Sequence, residues 1–282
     1  MSQNYQTVER RKDNISSIEP LISAMRTISL SQWRMALNRQ IALDAFLNEL
    51  KITSDILNTS VDNVYAQDTE INHDILIILG SNRGLCGNFN KCLRQFIAAE
   101  GIDQPSYNRI YLVGKQLPAL YKNIERWTTI DLSFPDFTAI PSASSLFSLD
   151  TANALAGSSV TIAYNAYLGA SRFDAARQQI YPLQPSNRLE SQSAHLKAII
   201  DTDAENIRKT IDFMQFNSHL QACLYSSMAS EHSSRFALME NADQNIENLI
   251  TELEIILQDY RKGKITTETQ ELAVSSGLLK TD

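Results

Sequence analysis

The chain has 282 residues and a formal net charge of −7, room for one or two domains and an acidic balance that argues against a nucleic-acid binder. Its 43% hydrophobic content is ordinary for a globular protein, and no apolar run approaches the length needed to cross a bilayer. The start, MSQNYQTVERRKDN, lacks the apolar core of a signal peptide, and three cysteines (Cys86, Cys92, Cys223) suit a reducing compartment, so the chain is expected to stay in the cytosol.

Glycine and proline gather between Gly80 and Pro185 and leave the two ends almost free of helix breakers. From Trp33 to Val64 the positions Trp33, Ala36, Gln40, Leu43, Leu47, Leu50, Ser54, Leu57, Val61 and Val64 step by three and four, the stripe of a helix packed on a partner helix. Before Trp33 the stripe passes to Ile15, Ile18, Ile22, Met25 and Ile28 in a shifted register. Ser16 with Glu19 forms a capping box, which predicts a helix start that leaves Pro20 in the first turn; a helix starting near Thr7 would instead be kinked by Pro20.

The middle reads as a small doubly wound α/β layer. Ile75–Leu79 is a continuous apolar run suited to a strand buried on both faces. A Gly-rich turn, Gly80 to Asn90, leads into a helix over about 88–99. Strands follow at 110–114 and 160–165, with a short helix over 117–124 between them. Ile180–Leu183 reads as an extended edge segment that Pro182 ends. The serines at 142–145 and at 158–159 read as loops.

The Gly-rich turn sits where phosphate is often cradled. Yet Gly80, Gly84 and Gly87 do not fall in a GxGxxG register, and no Gly-Lys-Ser/Thr follows, so a tight turn with a close backbone approach is the better account. Cys86 beside a helix start is a candidate reactive thiol, though a buried small residue is the commoner role. His73, His195, His219 and His232 have no metal-ligand spacing. No nucleophile, base and orienting acid assemble, so the pattern predicts no active site.

The C-terminal end returns to helix, expected from about Thr202 to about Thr269 and broken or bent at Gly263. Ile207, Ile211, Met214, Leu220 and Leu224 lead into Met239, Ala242, Ile246, Leu249, Leu253, Ile256 and Tyr260. Such a length needs a partner helix, and the N-terminal one is the only comparable partner. The first end carries basic Arg10, Arg11, Lys12, Arg26, Arg34 and Arg39 and the last carries acidic Glu231, Glu240, Asp243, Glu247, Glu252, Glu254 and Asp259, opposite excesses that favour association. The periodicity fits an ordinary bundle as well as a projecting coiled coil. A stand-alone nucleotide-responsive α/β module with a dimerising coiled coil is the competing reading.

SNRGLCGNFN, Ser81 to Asn90, resembles the S-D-R-G-L-C-G-G-F-N loop of the gamma subunit of F-type rotary ATP synthases. LISAMRTISLSQWRMA is similar to that family's N-terminal segment, Ser230–Arg235 to its S-E-x-x-A-R, Arg261–Glu268 to its R-Q-A-x-I-T-Q-E, and QQIYPL to its third-strand surroundings. The likeness covers nearly the whole chain in the right order. It implies an antiparallel coiled coil of the two terminal helices and a Rossmann-like α/β domain, with shaft segments over 1–68 and 196–282 and the globular domain over 69–195. It implies a rotor shaft coupling ion-driven rotation to ATP synthesis or hydrolysis, non-catalytic itself and without cofactor or metal. The implied partners are the alpha and beta subunits, the epsilon subunit and the membrane c-ring, at the cytoplasmic face of a bacterial membrane. By the same resemblance Met25, Arg235, Lys262, Thr266 and Glu268 face the surrounding subunits, and Ser81, Arg83, Gly84, Leu85, Cys86, Gly87, Phe89 and Asn90 form the family loop. Departures at Asn82, Asn88, Pro20, Lys262, Gly263 and Thr267 indicate a divergent or alternative branch. No paired-cysteine insert is present, so thiol switching is not expected.

Overall fold

The computed structural model describes residues 2–60, 73–101, 107–117, 127–130, 155, 157–182 and 203–276. In chain order they form helix α1 (Ser2–Ser60), strand β1 (His73–Leu79), helix α2 (Phe89–Ala99), strands β2 (Arg109–Val113), β3 (Trp127–Ile130), β4 (Ser158–Gly169) and β5 (Arg172–Tyr181), and helix α3 (Ala204–Ser275). Two compact units result, one of residues 1–28 with 236–282 and one of residues 29–235.

The first unit pairs the start of α1 with the end of α3. Tyr5 meets Tyr260 edge-on with ring centroids 6.5 Å apart, and its hydroxyl accepts from Arg261. Lys12 reaches Glu254 at 2.7 Å, and Arg26 reaches Glu240 at 3.1 Å and Asp243 at 2.9 Å. Residue numbers rise on one helix as they fall on the other, so the pair is antiparallel. The positions of α1 turned inward are Tyr5, Val8, Lys12, Ile15, Glu19, Ile22 and Arg26, a three-four step in which Lys12 and Arg26 bury their stems while their heads reach acids on α3. Ile18 and Ile28, expected on this stripe, are exposed beside it. On α3 the buried positions are Met239, Leu253 and Leu257, with Ile250 and Tyr260 half-buried; Leu249 and Ile256, expected there, lie on the exposed side.

Neither long helix is broken at the residue expected to interrupt it. Helix α1 begins at Ser2, so Ser16 and Glu19 do not cap its start and Pro20 lies well inside it. Proline there leaves the Ser16 carbonyl without its usual donor, but Pro20 is on the exposed side, where water can supply one. Helix α3 likewise runs through Gly263 to Ser275. Glycine lowers helix propensity without terminating a helix whose neighbours all favour it.

In the second unit five strands lie in the order β3-β2-β1-β4-β5. β1 pairs in parallel with β2 and β4, β2 in parallel with β3, and β5 runs antiparallel to β4. The apolar run of β1 is buried on both faces as expected. Ile75, Ile77 and Leu79 join a core completed by Phe216, Leu220, Leu224 and Ala229 of α3 and by Ala36 of α1. Leu76 and Ile78 join the opposite core with Leu93 and Ile97 of α2. The α1 seam from Trp33 to Leu57 is followed closely: Ala36, Leu50 and Leu57 are buried and Trp33, Gln40, Leu43, Leu47 and Ser54 half-buried. Met214 of α3, expected on its stripe, is exposed.

The sheet is larger than the sequence suggested. β3 was not anticipated, Ser158 and Ser159 open β4 instead of forming a loop, and β5 begins at Arg172, eight residues before the expected edge segment. The exposed polar residues of β5 hid it, because side chains alternate between the two faces of a sheet and one face of this strand is open to solvent. It ends at Tyr181, before Pro182 as expected. Val61, Val64, the serines at 142–145 and most of the helix expected over 117–124 lie outside the described residues.

Candidate functional site

The Gly-rich turn leaves β1 at Gly80, whose N–H donates to the Val113 carbonyl at 2.8 Å. Two chain segments cross here. A Cβ on Gly80 would lie 2.2 Å from Cγ of Leu117, and one on Gly114, at φ +104°, would lie 2.7 Å from the Gly80 oxygen. The crossing therefore requires glycine in both strands' exits, which is the close approach expected of this turn.

Beyond the crossing, side chains fix the loop. Ser81 is fully buried; its N–H donates to Asn90 Oδ1 at 3.0 Å, and Asn90 Nδ2 donates to its Oγ at 2.7 Å. The Ser81 carbonyl accepts the N–H of Gln116, and Asn82 Oδ1 accepts that of Lys115. Cys86 turns its thiol to Ser81 Oγ at 3.6 Å. Leu85 is held at φ +60° and Gly87 at +61°, so the loop presents a bulky Leu85 to solvent, 58% exposed. Phe89 is fully buried against Phe173, with ring centroids 5.6 Å apart.

The other wall of the site is the stretch Ser226–Arg235 of α3. Ser226 Oγ accepts the N–H of Tyr167 at 3.0 Å, Ser230 donates to the Asn165 carbonyl at 3.0 Å, and Ser234 donates to the Cys86 carbonyl at 3.0 Å. Asn165 in turn donates to the Phe89 carbonyl at 2.9 Å. Arg235 closes the set. Its Nε and Nη2 donate to the Gly84 carbonyl, both at 3.3 Å, Nη2 also to the Arg83 carbonyl at 3.2 Å, and Nη2 pairs with Glu231 one turn earlier.

The electrostatics follow from burial. Burial raises the Glu231 carboxyl, and the adjacent Arg235 guanidinium opposes the rise. Burial, reinforced by Arg235 and Arg83, pushes His232 down to about 3, so its ring is neutral at physiological pH and Nδ1 can accept from Arg235 Nη1 at 3.2 Å. Burial also raises the Cys86 thiol against the Ser81 hydrogen bond, which leaves it protonated and unsuited to nucleophilic work.

A phosphate cradle turns several backbone N–H groups toward its ligand. This loop does the reverse: the carbonyls of Arg83, Gly84 and Cys86 point at donors of α3, and the Ser81 N–H is already engaged. Among the described residues no group of His, Cys, Asp or Glu could hold a metal ion. The arrangement is a hydrogen-bonded junction.

The predicted site residues therefore separate. The eight loop residues lie together at this junction, and Arg235 lies there with them. Arg235 was expected to face other subunits, but it is only 4% exposed and its donors serve its own chain, because a buried guanidinium needs acceptors within reach. Glu231, expected to complement the N-terminal helix, pairs with Arg235 instead. Met25 is half-buried on α1, and Lys262, Thr266 and Glu268 are exposed on α3. Sequence reasoning missed Asn165, Tyr167 and Ser226; the available signal was serine recurring at helical spacing, Ser226, Ser230 and Ser234, on α3.

A sequence profile described as ATP synthase matches residues 4–276. The chain belongs to the ATP synthase family. Among curated relatives, the ATP synthase gamma chain of Rickettsia bellii strain RML369-C is 27% identical, over 97% of this chain and 98% of the relative. Two solved structures share the fold. A chain of the Euglena gracilis mitochondrial ATP synthase, solved with OSCP, F1 and c-ring, superposes with a TM-score of 0.63 at 18% identity, over 99% of this chain and 95% of that one. A chain of the rotor of the same Euglena enzyme gives 0.58 at 16% identity, over 94% and 100%.

Proposed function

We propose that this gamma-type chain is the central, non-catalytic rotor shaft of an F-type ATP synthase. It turns within a ring of alpha and beta subunits that hold the nucleotide sites, and it joins the epsilon subunit and the membrane c-ring. Residues 1–68 and 196–282 serve as shaft and 69–195 as the globular end. The complex holds the chain peripherally at the cytoplasmic face of a bacterial membrane; no helix among the described residues is long and apolar enough to cross one.

The observation that carries the reading is the antiparallel pairing of Tyr5, Lys12 and Arg26 with Arg261, Glu254 and Asp243 in a chain matched to the family over residues 4–276. The exposed apolar residues beside that seam support it: Ile18, Leu21 and Ile28 on α1, and Ile255, Ile265 and Leu272 on α3. A helix pair left to water would not carry so many, whereas a shaft enclosed by other chains would. Met25, Lys262, Thr266 and Glu268 are the proposed contact positions. Coupling works by differential contact, each orientation of an asymmetric shaft favouring a different conformation in each beta subunit.

The test is assembly of alpha and beta subunits with and without this chain, measuring ATP hydrolysis. Rotor-dependent hydrolysis is the expected result; equal rates either way would remove the proposal. Calorimetry with ATP on the isolated chain addresses the nucleotide-module alternative, and no heat of binding is expected.

A further inference from the structure

We propose that Arg235 is a positioning residue, the latch through which α3 grips the β1–α2 loop so that torque in the helix reaches the five-stranded sheet. This rests on the rotor reading above. A helix twisted about its own axis drives a neighbouring domain only if its contacts resist rolling. Over Phe216 to Tyr225 the contacts of α3 with the sheet are mainly apolar, apart from a long Cys223 Sγ–Gln178 hydrogen bond at 3.6 Å, and apolar contact is non-directional. At Ser226 to Arg235 the chemistry changes to hydrogen bonds, which weaken steeply when their angles are spoiled.

Arg235 is the strongest member of that set. Its guanidinium forms a planar fork whose donors engage two successive carbonyls, Arg83 and Gly84, and each bond is strengthened by the charge. Glu231, on the same helix, supplies the counter-charge, so the pair moves as one rigid piece of α3. The loop it holds cannot yield easily. Ser81 is fastened to Asn90 at the start of α2 and to Gln116 after β2, and Asn82 is fastened to Lys115. A push on the Arg83 and Gly84 carbonyls is therefore passed to β1 and β2. The serines add three weaker bonds, two of them to β4, but they are neutral, whereas the donors of Arg235 are charged.

The experiment uses the complete complex in sealed vesicles, with ion pumping measured per ATP hydrolysed. The double variant Glu231→Leu/Arg235→Met removes the latch without stranding a buried charge, an exchange that proteins often accept at no loss of stability. Expected is a complex that assembles and hydrolyses ATP without a gradient, but whose pumping per ATP falls about tenfold, on the scale of one charge-assisted hydrogen bond. Arg235→Lys keeps the Glu231 pair without the fork and is expected between the double variant and the parent. Pumping per ATP equal to the parent in either assembled variant overturns the proposal. So does pumping that falls only in proportion to lost assembly, which would make the junction merely structural. If the double variant does not assemble, Arg235→Lys alone decides by the same criterion. The rotor reading is checked separately: a parent complex that pumps equally well without this chain sinks that reading itself.

Discussion

Arg26 on α1 lies 2.9 Å from the carboxylate of Asp243 on α3, and the same nitrogen lies 3.1 Å from Glu240. Asp243 is the least exposed of the three side chains. One cation thus serves two acids in a seam where apolar residues were expected. Replacing Arg26 by Ala is expected to lower the stability of this helix pair by about 1 kcal/mol, since the pairs are partly solvated. The loss should shrink at high salt. Thermal melting of parent and variant at low and high ionic strength measures both; a difference independent of salt would contradict the electrostatic account.

The long helices and the strand buried on both faces were legible, because each rests on periodicity; the antiparallel direction of the helix pair was implied only by the family resemblance. The seam from Trp33 to Leu57 is an apolar three-four step that the burial pattern repeats. Periodicity failed where polar residues occupied seam positions. Lys12, Glu19 and Arg26 continue the step, so counting apolar residues drew the stripe to Ile18 and Ile28 instead. It failed again at β5, where the apolar Phe173 and Ile180 stand at opposite ends and the less exposed positions between them are Ala175, Ala176 and Gln178. At the junction, the motif residues 230–235 were visible as a likeness, but their bonds to carbonyls of the loop were not. Hydrogen bonds to backbone carbonyls leave no mark on residue type, so which atoms Arg235 meets could only come from the fold.

Glycine at two loop positions should behave in opposite ways. Gly80→Ala drives a Cβ into the Leu117 side chain, whereas a Cβ on Gly84 meets nothing within 4 Å. The first is expected to cost about 1–3 kcal/mol, the range for overpacking a well-filled core. The second should be close to neutral. Because the clash is with one side chain, Gly80→Ala/Leu117→Ala should recover part of the loss, a coupling that a double-mutant cycle reads directly. Urea midpoints of the four proteins test this; additive losses would show that the crossing does not set the requirement.

The exposed Gly263 has open space around its Cα, and Thr266, Thr267 and Thr269 turn their hydroxyls onto carbonyls one turn back. Both features weaken helix without breaking it. Gly263→Ala is expected to stabilise this part of α3 by about 1 kcal/mol, which slows amide exchange around residues 260–270 about fivefold. Unchanged exchange there would mean that the segment opens by a route that does not pass through Gly263.

His232 sets an acid limit. Its folded-state value of about 3 lies below the ordinary 6.5, so between those values the unfolded chain binds more protons than the folded one. Stability therefore falls as pH drops through that window, and nothing is lost above it. His219, also lowered by burial, acts in the same direction. Glu231 acts in the opposite one: its raised carboxyl makes the folded form take up protons more readily as the pH falls, which offsets part of the loss. The variant His232→Gln keeps an acceptor for Arg235 but cannot titrate. Its denaturation midpoint should decline less than the parent's from pH 6.5 to pH 3. Parallel declines in the two proteins would mean that His232 is protonated as easily in the folded chain as in the unfolded one, and that the junction around Arg235 is open to water.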